Sequence, residues 1–152
     1  MAQLLPGITG ARTLPEMLRT LRPEDSAEAF AQLSSMEFVA ETARWAWTIE
    51  NDQGEFVASM AIAPDPHIER RGWFLTFPGA RIASGVELRA MFRLFTIFRD
   101  SGAVYDELRA WVASEDARAI RFAEWFGFVY DCGPATAFSP TGRDLSLYLW
   151  RR

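Results

Sequence analysis

The sequence predicts a mixed α/β domain: one mixed sheet with a central βαβ crossover. Three observations predict it. Several short runs alternate apolar and polar residues, the period of half-buried strands. One long stretch, residues 84–100, instead carries its apolar residues at helical spacing between two such runs. The chain has 152 residues, 49% hydrophobic and 24% charged, which suits a single globular core rather than a disordered chain.

The elements follow in order. Residues 1–12 contain Pro6, Gly7 and Gly10 and read as a poorly specified arm; a single domain is expected over 13–152. Residues 13–21 suit either a short strand or a helical turn. Pro23, Glu24 and Asp25 open a helix, because proline costs nothing in the first turn and carboxylates favour the positive dipole end. A second short helix is expected over residues 36–43. Trp45, Trp47 and Ile49 alternate with polar or small residues, Gly54 ends a turn, and residues 56–62 alternate back as a hairpin. Pro64 ends that strand. Residues 71–77 form a third run, with Trp73, Leu75 and Phe77 sharing one face.

Ser84 and Gly85 start the long helix. Leu88, Met91, Phe92, Phe95 and Phe98 form its apolar stripe, and Glu87, Arg89, Arg93 and Arg99 its outer side. Gly102 stops it. Leu108, Ala110 and Val112 mark the next strand. Ser114 is placed to cap the following helix, with Glu115 and Asp116 in its first turn, and Phe126-Gly127 ends it. Residues 128–132 and 144–150 are the last two strands, the latter with Leu145, Leu147 and Leu149 on one face.

Composition excludes several chemistries. Cys132 is the only cysteine and His67 the only histidine, so neither an intrachain disulfide nor a cysteine- or histidine-rich metal site can form. Cys132 reads as a small buried apolar residue, and His67, among prolines and acids, as a surface residue. No apolar run reaches a membrane span, and no leader pattern is seen, so a cytoplasmic setting is expected. All 16 basic residues are arginine, yet the net charge is −4, which disfavours nucleic acid as a partner. Arg70 and Arg71 read as a strand-entry pair, with contact to a phosphate or a partner as the alternative. The six tryptophans read mostly as core or half-buried sheet residues, with an exposed sheet face of Trp45, Trp47, Trp73 and Trp111 that binds a protein as the alternative.

The element order resembles the GNAT N-acetyltransferase fold. The specific part is the stretch from Asp116 through Ala119, Ile120 and Phe122 to Gly127 and Phe128. It resembles the phrase that family writes as N-x-x-A-I-x-F-Y-x-x-x-G-F. The span from Leu18 to Asp25, with Arg19, Pro23 and Asp25 as an R-x-x-x-P-x-D phrase, resembles its first strand and helix entry. The resemblance implies an acyl-CoA-dependent N-acyltransferase, with acetyl-CoA or another acyl-CoA as donor, no metal, and a small-molecule or protein amine as acceptor. It implies that Arg81, Ala83, Ser84 and Gly85 stand where the family's Q/R-x-x-G-x-G/A loop meets the pyrophosphate, and that Asp116 sits near the pantetheine. The family's tyrosine acid falls on Ala123, so Tyr130, or Cys132, is the candidate replacement and Glu69, or a water, the candidate base. A narrower resemblance joins Trp73, Trp111, Ile120 and Phe122 to small GNAT-like phage proteins of virion assembly. It implies the alternative, a protein without transfer activity that binds a virion or host partner.

Overall fold

The computed structural model describes residues 45–51, 53–78, 84–101, 105–139 and 141–152. The expected arm, the strand or turn over 13–21, both early helices, Gly102, Arg81 and Ala83 lie outside the described residues. The described elements are β1 (Trp45–Glu50), β2 (Phe56–Pro64), β3 (Arg71–Pro78), α1 (Gly85–Asp100), β4 (Glu107–Ala113), α2 (Ala117–Trp125), β5 (Val129–Ala135) and β6 (Leu145–Arg151). Hydrogen bonding orders six strands β1-β2-β3-β4-β6-β5. The chain divides into two compact units, Met1–Ala63 with Leu75–Ala103, and Pro64–Phe74 with Val104–Arg152.

In the first unit β1 and β2 form the expected antiparallel hairpin, with Trp47 opposite Met60 and Ile49 opposite Ala58. Asn51 builds the turn: its side-chain oxygen accepts the N–H of Gln53 and of Glu55, and Gly54 supplies the positive φ of 76°. Residues 56–63 of β2 are all buried, not only every second one. Strands lie on both sides of β2 in the order, and an interior strand covered on both faces loses its polar alternation. Helix α1 buries Met91, Leu94, Phe95 and Phe98, a 0-3-4-7 stripe. Leu94 joins the expected set, while Phe92 is only half-buried. The Trp45 ring meets Phe98 edge-on at 5.4 Å. Ser101 closes the helix, its hydroxyl donating to the carbonyl of Phe98 at 2.6 Å.

In the second unit β3 pairs with β4 in parallel at Arg71↔Glu107, Gly72↔Leu108 and Trp73↔Arg109. Glycine at 72 permits that approach: a Cβ there would lie 2.9 Å from a Leu108 methyl and 3.1 Å from the Tyr105 ring. Phe74, rather than Trp73, is the buried ring of this stretch, packing on Phe128 at 5.2 Å and Phe126 at 5.8 Å. Strand β4 pairs along its length with β6, from Glu107↔Arg151 to Ala113↔Leu145. Both faces of β6 are buried from Ser146 to Trp150, so Leu147 and Leu149 belong to the core together with Tyr148.

Two sequence expectations are corrected here. Ser114 does not cap α2; its hydroxyl pairs with that of Ser146 at 2.8 Å, and its N–H donates to the carbonyl of Asp144. Asp116 is the cap, because its carboxylate reaches the N–H groups of Arg118 and Ala119. Cys132 is exposed, since β5 stands at the end of the strand order and no strand among the described residues pairs with its outer side. The tryptophans follow the core or half-buried reading rather than the exposed-face alternative: Trp47 is buried, Trp45 and Trp73 are half-buried, and of those four only Trp111 is exposed.

Candidate functional site

The start of α1 is built from Ser84, Gly85, Glu87 and Arg89. Ser84 is the N-cap and its hydroxyl accepts the N–H of Glu87 at 3.3 Å. Glu87 returns the contact, its carboxylate accepting the N–H of Ser84 at 2.6 Å. This reciprocal capping box satisfies two of the donors a helix start leaves open. Among the described residues no acceptor meets the N–H of Gly85 or Val86. Arg89, one turn on, folds back so that a terminal nitrogen lies 3.6 Å from where a Gly85 Cβ would stand. Open N–H groups, the dipole end and a guanidinium therefore converge on an exposed glycine, a setting that favours an anion. Glu87 opposes it with one negative charge. In the sequence Arg89 reads with Arg93 and Arg99 as a solvated helix face, with contact to CoA or nucleic acid as the alternative; its i+4 spacing from Gly85 is the signal that singles it out.

The start of α2 is different. The Asp116 carboxylate is committed to two N–H groups of its own helix. Ala123, where the GNAT phrase has its tyrosine, is 6% exposed and fills core.

The second unit does not bring Glu69 or Tyr130 to Asp116. Glu69 is exposed in the turn that precedes β3, at the amino ends of the parallel pair. Asp116 follows the carboxyl end of β4, about 20 Å along seven strand residues. Tyr130 lies on β5, separated from β4 by β6, or about 10 Å across the sheet. It is exposed, and its hydroxyl donates to the Gly133 carbonyl at 2.6 Å. His67 is exposed in the same turn region as Glu69 and gives its backbone N–H to Asp65.

Arg70 and Arg71 are held in ion pairs. Arg70 adopts a φ of 63° and clasps Asp106 through Nε and Nη2, the latter at 2.7 Å. That contact holds the Asp106 carboxyl below its ordinary range. Arg71 spans Asp65 and Glu107. Partial burial opposes the charged form of Glu107, but hydrogen bonds from Arg109 and Arg151 outweigh it and lower its pKa. Asp65 follows the same logic: burial raises it, while the N–H groups of His67 and Ile68 and the charge of Arg71 lower it further. Among the described residues no group of three or more His, Cys, Asp or Glu could hold a metal ion. No helix among them is long and apolar enough to cross a membrane.

No protein-family model matches this sequence, and no curated protein matches it. Solved structures do. A proposed phosphinothricin N-acetyltransferase matches with a TM-score of 0.63 at 14% identity, over 95% of this chain and 96% of that one. A chimera of the spermidine N-acetyltransferase SpeG from Vibrio cholerae and hSSAT matches with a TM-score of 0.57 at 15% identity, over 82% of this chain and 75% of the other. The spermidine/spermine N-acetyltransferase SpeG from Vibrio cholerae, in complex with manganese ions, matches with a TM-score of 0.56 at 16% identity. That match covers 70% of this chain and 64% of the other, just under two thirds of its length. Likeness at this identity speaks to fold, and function belongs to the site. With its parallel β3–β4 pair, its order of strands and these matches, the chain has the GNAT-type N-acetyltransferase fold.

Proposed function

We propose that the protein is a GNAT-like N-acyltransferase that uses acetyl-CoA or another acyl-CoA to modify a small-molecule or protein amine. The observation that supports it most is the start of α1, where open N–H groups and the Arg89 guanidinium meet at an exposed glycine. In this reading the pyrophosphate rests on the open amides of Gly85 and Val86 and on that of Ala83, with Arg81 and Arg89 supplying charge; the Ser84 amide, expected there from the sequence, is taken by Glu87. Asp116 serves its own helix start. The acceptor nitrogen forms a bond to the acyl carbon as the carbon–sulfur bond breaks. Water takes the amine's proton, and solvent reprotonates the departing thiolate. Water fills the base role more readily than Glu69, given where that carboxylate stands, and the same holds for Tyr130 as acid. A cytoplasmic setting belongs to this reading.

Two observations favour a second reading, a GNAT-fold protein without transfer activity that binds a protein partner. Ala123 leaves the helix without a tyrosine, and Glu87 places a carboxylate at the α1 start. A phage or virion role within that reading rests on the sequence resemblance alone.

Titration of the purified protein with acetyl-CoA by calorimetry tests the choice, with desulfo-CoA as the control for phosphate contacts. Micromolar binding to both, lost in Gly85→Trp, supports the acyltransferase. No binding at millimolar acetyl-CoA overturns it and turns the search to a protein partner.

A further inference from the structure

One face of the second unit carries a pattern that the acyltransferase reading leaves unused. Residues in register across paired strands point to the same side, and side chains alternate along each strand. Glu107, Arg109 and Trp111 of β4 therefore share a face. The first row across it is Arg71, Glu107 and Arg151; the second is Trp73, Arg109, Leu149 and Val129; the third is Trp111, Leu147 and Cys132.

The first two rows hold excess positive charge. The Glu107 carboxylate takes Nε of Arg71 at 3.1 Å and of Arg109 at 2.8 Å on one oxygen, and Nε of Arg151 at 3.1 Å on the other. Arg71 also reaches Asp65. Three guanidiniums thus face two carboxylates, leaving one positive charge. Arg109 and Arg151 use only Nε, so their terminal nitrogens meet no acceptor among the described residues. Glu107, its side chain 18% exposed, fixes both guanidiniums while leaving their forks open.

The third row carries an exposed aromatic pair. Trp111 is 37% exposed, and Phe138 from the β5–β6 connection lies tilted against it with ring centroids 4.7 Å apart while itself remaining 55% exposed. Val129, beside Arg109's row, is 69% exposed. An open guanidinium fork and an exposed aromatic surface stand two residues apart on one strand, about 7 Å. That is the span from a carboxylate to the body of a fused aromatic ring.

We propose that this face binds a small aryl carboxylate. Arg109 and Arg151 take the carboxylate through their terminal nitrogens, Trp111 and Phe138 take the ring, and Glu107 is a positioning residue. The site shares no residue with the α1 start and needs no acyl-CoA.

Calorimetric titration of the full chain with 2-naphthoate, without acyl-CoA, tests it. The expected result is saturable binding that 2-naphthylmethylamine, its cationic analogue, does not reproduce. Arg109→Gln and Trp111→Ala each weaken it about tenfold or more, the scale of one lost charged hydrogen bond or one aromatic contact. Arg151→Gln, on a largely exposed side chain, weakens it without perturbing the fold, which circular dichroism checks. Glu107→Gln weakens it while Arg89→Gln leaves it unchanged. Absence of saturable heat up to millimolar naphthoate overturns the proposal. So does equal binding of the amine, or unchanged affinity in both Arg109→Gln and Arg151→Gln. Because acyl-CoA is absent throughout, none of these outcomes bears on the acyltransferase reading.

Discussion

Helix α1 begins on Ser84 and helix α2 on Asp116, and the two starts are built to different ends. Helix α1 has 16 residues and plants four of them in the core of its unit. Helix α2 has nine, of which only Ala123 is buried. The longer helix is held by its apolar stripe, so its first amides need not all be satisfied. The shorter one depends on its ends. Asp116 takes two N–H groups at the start. At the finish Gly127, at a φ of 91°, lets its own N–H and that of Phe128 reach the carbonyls of Glu124 and Ala123, a Schellman closure. Packing thus leaves the first amides of α1 open, while the α2 start is committed to holding its helix together.

The strongest test of that contrast removes the packing. Phe98→Ala, at a ring with no exposed surface, should cost about 3–5 kcal/mol and lower the midpoint of urea unfolding accordingly. A loss under about 1 kcal/mol, near the range of an ordinary surface substitution, would mean that the stripe does not anchor α1. Next, Ala123→Tyr should overpack the core rather than supply an acid, at a cost of about 1–3 kcal/mol. Thermal melting together with an acetyl transfer assay separates the two outcomes. Removing the caps comes third. Asp116→Ala should cost about 1–2 kcal/mol and Ser84→Ala about 0.5–1 kcal/mol, both read from chemical denaturation. Equal losses would erase the difference between the two starts.

Two smaller effects sharpen the comparison. Glu87→Gln keeps the hydrogen bond to Ser84 but removes its charge, and should tighten acetyl-CoA binding by about threefold, given a helix-start charge effect of about 0.3–1 kcal/mol. Weaker binding would place the anion elsewhere. The last concerns acid. Asp65, Asp106 and Glu107, all in the unit that contains α2, have their pKa values lowered by folding. Their stabilising effect is complete above the ordinary carboxylate value of about 4 and is lost as pH falls toward the folded values. Hydrogen-exchange protection in β4 and β6 should therefore decline below about pH 4, and Glu107→Gln should flatten that decline. A pH-independent protection would mean that these ion pairs do not support the unit.

Much of this fold was legible in the chain. The hairpin from Trp45, the helix from Ser84, the stop at Phe126-Gly127 and the last strand pair follow from period and turn chemistry, which act over a few residues. The misreadings share one cause. Phe74 is buried because Phe126 and Phe128 pack on a face that alternation alone assigns to solvent, and β2 is buried at every position from 56 to 63, where alternation predicts every second one. Cys132 is exposed because its strand is an edge, and strand order cannot be read from spacing. Ser114 and Asp116 are both acceptable caps by type; only the serine's engagement with Ser146 decides between them.

The candidate sites divide along the same line. By itself the sequence determined which residues could act: a serine and glycine before a long amphipathic helix, no tyrosine at position 123, one histidine and one cysteine. Those statements depend on residue identity and local spacing. The tertiary structure decided where they stand. It placed Glu69 about 20 Å along β4 from Asp116, turned Arg89 back over Gly85, and set Arg71, Arg109 and Arg151 around one carboxylate. The physical reason is that charge and hydrogen bonding act through distance in space, and residues as far apart in sequence as Arg71 and Arg151 become neighbours only when their strands take register across the sheet.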